Sequence, residues 1–148
     1  MTGRNSLGFP QNAAQGRQAP KIYEMSIYQF SVSVIPQYLP EQSDLEQGVY
    51  AYSYTVTVIN TGRIAAQLIS RHWIITDGTG KVEEVRGLGV VGQQPFLKPG
   101  EAFEYTSWSH LSTPTGSMRG SYFCVAEDGG RFEATIPEFA LVQPRSLH

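Results

Sequence analysis

From residue 26 onward the chain reads with a period of two. Tyr28, Phe30, Val32 and Val34 alternate with Gln29, Ser31 and Ser33, the pattern of a half-buried strand. Pro36 and Pro40 are expected to stop that ladder. Glu41–Gly48, which carries Glu41, Asp44 and Glu46, reads as an exposed connection. A second strand puts Tyr50, Tyr52, Tyr54, Val56 and Val58 on one face and Ser53, Thr55 and Thr57 on the other. It ends at Asn60-Thr61-Gly62, where Asn and Gly tolerate positive φ. Gln67–Thr76 is apolar on both faces (Leu68, Ile69, Trp73, Ile74, Ile75), which predicts a central strand. Asp77-Gly78-Thr79-Gly80 then turns the chain into Val82–Val85. Lys98-Pro99-Gly100 suits a type II turn, and Phe103 and Tyr105 flank Glu104 in the strand that follows. Tyr122–Ala126, Asp128-Gly129-Gly130 and Arg131–Ile136 form a last hairpin with Phe132, Ala134 and Ile136 inward. No window of ten or more residues has helical spacing. The pattern predicts an all-β fold: an antiparallel two-sheet β-sandwich of seven to eight strands, of the fibronectin type III or immunoglobulin-like kind.

Composition narrows the function classes. At 148 residues one domain is the default, with a tail over 1–21, the domain over 22–142 and a short C-terminal tail over 143–148. Residues 1–20 hold few large apolar side chains to offset backbone ordering, and they lack the apolar stretch of a secretory signal. Eleven basic against thirteen acidic residues give a net charge of −2, which argues against a nucleic-acid partner. With no long apolar run, neither a membrane span nor membrane binding is expected, and cytoplasmic residence is the simplest reading. The single cysteine, Cys124, precludes an intrachain disulfide and reads as a small buried hydrophobe.

Candidate chemistry is sparse. Gly87-Leu88-Gly89-Val90-Val91-Gly92 spells GxGxxG, but Pro95 and Pro99-Gly100 leave no room for the helix of a dinucleotide fold. What survives is a phosphate cradle made by Gly87, Gly89 and Gly92, with Arg71 or Arg86 adding charge; the alternative is that the glycines serve a bulge or wide loop. Ser70-Arg71-His72-Trp73 places His72 with Ser70 on one face and Arg71 with Trp73 on the other. Histidines 72, 110 and 148 and Cys124 lack metal-ligand spacing, so neither a metal nor another cofactor is expected. A Ser–His–Asp triad from Ser70 or Ser109, His72 or His110, and Asp77 lacks a nucleophile elbow. Ser107-Trp108-Ser109-His110-Leu111 reads as a loop, with Trp108 and His110 as partner contacts or Trp108 as a plug at the end of the sandwich.

The stretch SRHWIITDGTGKVEEVRGLGVVGQQPFLKPGEAFEYTS, Ser70 to Ser107, closely resembles the bacterial ApaG family. The match extends to YSYTVTVINTG before it and LSTPTGSMRGSYFCVAEDGGRFEATIPEFAL after it, and so covers roughly residues 25–141. The resemblance implies a fibronectin-type sandwich, in agreement with the strand count. It also implies genes often placed beside a diadenosine tetraphosphate hydrolase and a ribosomal RNA dimethyltransferase, and related domains in F-box and polymerase-delta-interacting proteins that look like protein-binding modules. Some members are associated with cobalt and magnesium homeostasis. Three functions follow as expectations. The first is a non-enzymatic module presenting 86–95 and 107–115 to a protein. The second is a binder or hydrolase of diphosphates or dinucleoside polyphosphates through Gly87–Gly92. The third is an accessory in divalent-cation homeostasis. The chain is expected as a monomer or a homodimer, with Lys81, Glu101 and Glu104 guarding strand edges against pairing.

Overall fold

The computed structural model describes residues 27–144, so the expected 1–21 tail and the last four residues lie outside the described residues. Within them are eight strands and one 3-10 turn at Pro40–Gln42, with no α-helix. The strands are β1 (Phe30–Tyr38), β2 (Tyr50–Asn60), β3 (Ala66–Asp77), β4 (Val82–Leu88), β5 (Phe96–Leu97), β6 (Ala102–Leu111), β7 (Gly116–Ala126) and β8 (Arg131–Leu141). Every pairing is antiparallel. One sheet runs β1-β2-β6 and the other β4-β3-β7-β8, with β5 paired to the start of β3. This is the two-sheet sandwich that the alternation predicts, the architecture shared by fibronectin type III and immunoglobulin domains.

The core is the meeting of the two inner faces. Tyr52, Tyr54, Val56 and Val58 of β2 join one buried cluster with Leu68 and Trp73 of β3, Met118, Tyr122 and Cys124 of β7, and Ile136 of β8. Each large aliphatic side chain so buried contributes roughly 1.5–3 kcal/mol. Leu68 and Trp73 both face inward although the step from one position to the other is odd, which in a regular strand would put them on opposite faces. The ladder between β3 and β7 slips between Leu68 and Ser70, and this bulge reverses the alternation once.

Three local expectations change. Pro36 does not stop β1; it pairs with Tyr54 and the strand continues to Tyr38. Thr61 N–H bonds Gln29 O and Leu39 N–H bonds Ala51 O, so the odd-numbered residues of β1 bond to β2. The missing N–H of Pro36 therefore points outward from an edge strand, where no ladder bond is lost. Asn60 is no positive-φ turn residue. It is buried at the end of β2, where its amide donates to Ile64 O at 3.0 Å and Leu97 O at 2.9 Å while its oxygen accepts Gly62 N–H at 2.8 Å. Residues 107–111 are the second half of β6, paired with β2 from Ser107↔Tyr54 to Leu111↔Tyr50, and not a loop. Trp108 accordingly stands on the outer side of an edge strand, 59% exposed, and plugs nothing.

Candidate functional site

β1 and β8 pack together and close one side of the sandwich. On the other side, edge strands β4 and β6 leave a groove between the sheets. One part, about 330 Å³, is floored by Tyr54, Arg71 and Trp73 and rimmed by Glu83, Val85 and residues 107–110. A neighbouring hollow of about 320 Å³ shares Tyr54, Arg71, Trp73 and Ser107 and reaches Tyr105 and the Val90–Gly92 turn. Arg71 is common to both because β3 presents it beside Trp73 on the inward face.

The glycine motif is built around this arginine. One guanidinium nitrogen of Arg71 donates to Leu88 O and to Gly89 O, each at 2.9 Å. The fork lies flat over Gly87: a Cβ there would come within 2.6 Å of Nη2. Gly89, at φ +65°, leaves space for the Gln93 carbonyl, which a Cβ would strike. Val90 and Gln93 exchange both backbone bonds, at 2.8 and 2.9 Å, across Val91 (φ 42°) and Gly92 (φ 80°). Two successive positive φ values make this a type I′ hairpin turn, and no helix follows. The amides of Gly89 and Val90 are spent on Ile69 O and Gln93 O. The loop is thus a small hairpin pinned by Arg71, with Val91 in a conformation costly for a β-branched residue.

Arg86 lies on the opposite, outer face of the sheet. There His72 Nε2 and Glu84 Oε1 are 2.7 Å apart, and Arg86 Nη2 is 3.5 Å from the same oxygen. Hydrogen bonding to His72 holds the exposed Glu84 carboxyl below its usual range. A hollow of about 380 Å³ includes Arg71, Arg86 and Gly87, together with His72, Ser121 and Glu133. The five residues read from the sequence as ligand contacts therefore divide. Arg71, Arg86 and Gly87 share this hollow, and Gly92 borders the inter-sheet groove. Gly89 lines neither of these hollows. Trp108 and His110 come together on the rim of that groove.

The periodicity did not disclose the buried pair at the groove's inner end. The hydroxyls of Tyr105 and Tyr122 are hydrogen-bonded to each other across the two sheets. Burial pushes the Tyr105 phenol up to about 12 and raises Tyr122 further. Cys124 is fully buried, and burial lifts its thiol to about 12, so it is an inert core residue. Among the described residues no group of three or more His, Cys, Asp or Glu side chains is placed to hold a metal. Nor is any helix among them long and apolar enough to cross a membrane.

Residues 40–126 match the family model described as the ApaG domain. A Ralstonia nicotianae protein named ApaG is 63% identical over 124 residues, spanning 84% of this chain and the whole of that one. The Bordetella pertussis ApaG protein is 62% identical over 121 residues, 82% of this chain and 92% of its own length. A Bordetella pertussis crystal structure named for an ApaA protein superposes with a TM-score of 0.78 at 61% identity, covering 80% of this chain and 97% of its own. A further structural-genomics X-ray structure gives 0.76 at 48%, covering 81% and 91%.

Proposed function

The chain belongs to the ApaG domain family, and on that footing we propose that it is a non-enzymatic recognition module that holds a protein partner in the groove between β4 and β6. The observation that carries this reading is Trp108. A 59% exposed tryptophan stands on a rigid strand beside a hollow floored by Tyr54 and Trp73. Large exposed aromatics at the mouth of a formed hollow are the usual anchors of protein recognition, because they bury much area at little entropy cost. Ser107, Ser109 and His110 supply hydrogen-bonding groups around it. The partner is a protein segment that lays an apolar or aromatic side chain on Trp108 at the rim and continues over β6 into the hollow above Tyr54 and Trp73. Affinity capture from cell extract tests this, comparing the wild type with Trp108→Ala. One or more proteins are expected with the wild type and lost with the variant. The same set recovered by both baits would overturn the reading.

A second reading rests on the hollow shared by Arg71, Arg86 and His72: binding of a diphosphate group. It ranks below the first because Arg71 is already bonded to two carbonyls and Glu84 engages both His72 and Arg86. Calorimetric titration with pyrophosphate checks it; heat abolished by Arg86→Ala supports it, and no heat at millimolar ligand ends it.

A further inference from the structure

The outer edge of β4 carries a pattern that the groove does not use. Asp77 N–H bonds Lys81 O and Gly89 N–H bonds Ile69 O, so the odd-numbered residues of β4 bond to β3. The backbone groups of Val82, Glu84, Arg86 and Leu88 therefore point away from the sheet, and their side chains share its outer face. All four are exposed, with Val82 at 56% and Leu88 at 75%. The row reads apolar, acidic, basic, apolar. Turned end for end it meets its own complement, Val82 facing Leu88 and Glu84 facing Arg86, with Val85 on the axis. In that register the outward N–H and C=O groups of one copy face outward partners of the other, with Leu88 O already accepting from Arg71 through one lone pair, and an offset by one residue would destroy the match.

We propose that β4 pairs antiparallel with β4 of a second copy about Val85, joining the two larger sheets into one continuous sheet. Glu84 keeps His72 and its own Arg86 on Oε1, leaving Oε2 for Arg86 of the other copy. The four charges form an alternating square in which each has an opposite charge along its strand and another across the axis. Lys81 faces Gly89 in this register and so does not block the pairing. The other edges lack the device. β1 and β8 carry Pro36 and Pro137 and pack on each other, and β6 folded back on itself would set Glu104 against Trp108. The contact uses the backbone edge and outer face of β4; Val85 on its axis also rims the groove, whereas Trp108 on β6 takes no part in the pairing.

Sedimentation velocity of the full chain over a concentration series tests the proposal. The wild type is expected to be a reversible monomer–dimer system that tightens at low salt. Glu84→Arg and Arg86→Glu each place like charges across the axis and should weaken the dimer by roughly tenfold or more. Mixed together, the two variants regain complementary rows, so the mixture should form a heterodimer as stable as the wild-type dimer to within about threefold. The double variant Glu84→Arg/Arg86→Glu should dimerise again. The proposal is overturned by a wild type that stays monomeric, by single variants that dimerise like the wild type, or by a mixture that stays monomeric. A dimer lost on Trp108→Ala but not on charge reversal would also overturn it, and would assign self-association to the groove instead.

Discussion

Replacing Tyr105 or Tyr122 by Phe separates the value of a buried hydrogen bond from the cost of breaking one. The two hydroxyls satisfy each other between the sheets. Tyr122 has no exposed surface, whereas Tyr105 is 7% exposed and borders the inter-sheet hollow. Tyr105→Phe therefore strands the Tyr122 hydroxyl with no route to water, at a cost of about 2–3 kcal/mol. Tyr122→Phe leaves the Tyr105 hydroxyl able to turn toward water in the hollow, and should cost only about 1 kcal/mol. Removing both hydroxyls leaves no orphan, so the double variant should lie within about 1 kcal/mol of the wild type. Urea denaturation at constant m reads all four corners of the cycle. A double variant as unstable as the sum of the singles would refute the reasoning, as would Tyr122→Phe proving the costlier change.

The same pair sets an alkaline limit. Free tyrosine ionises near 10, but burial holds Tyr105 near 12 and Tyr122 higher. Above pH 10 the unfolded chain loses protons that the folded chain keeps, so stability falls as pH rises from 10 toward 12. The slope is about 1.4 kcal/mol per pH unit for each group. The double Phe variant should lose that slope.

Two further substitutions probe the backbone. Val91→Asn places the residue preferred at the first position of a type I′ turn where Val91 sits at φ 42°, half exposed. It should stabilise by about 0.5–1 kcal/mol, a rise of a few degrees in Tm by calorimetry, and an unchanged or lower Tm would show that the turn bears no strain. Gly120→Ala would drive a Cβ into the His72 carbonyl oxygen and to 3.2 Å from the Trp73 Cα, both backbone atoms of the paired strand. A loss of about 3 kcal/mol or more in urea denaturation is expected, and a loss below ~1 kcal/mol would mean that the two strands part easily there.

The alternation of apolar and polar residues determined the fold class without coordinates. Side chains two apart share a face whatever the strand pairs with, so Tyr52, Val56 and Val58 had to be inward together once one face was buried. Turn chemistry placed the hairpin after Asp77 and the type II turn at Lys98–Glu101, where Glu101 N–H bonds Lys98 O at 2.9 Å, because those geometries depend on neighbouring φ and ψ alone. Pairing is a different matter. Whether Pro36 ends a strand depends on which edge its nitrogen faces, and whether Trp108 lies in a loop depends on a ladder with β2, over fifty residues away. The sequence names Arg71, Gly87 and Gly89 as a group but not their geometry. Only the pairing of β3 with β4 lays the guanidinium on Gly87 and turns a phosphate-loop spelling into a pinned hairpin. The bulge after Leu68 is likewise invisible locally, yet it decides that Arg71 and Trp73, and not Ser70 and His72, face the groove. A strand's own period fixes which residues travel together; the contacts of distant segments fix which way that set points and what it meets.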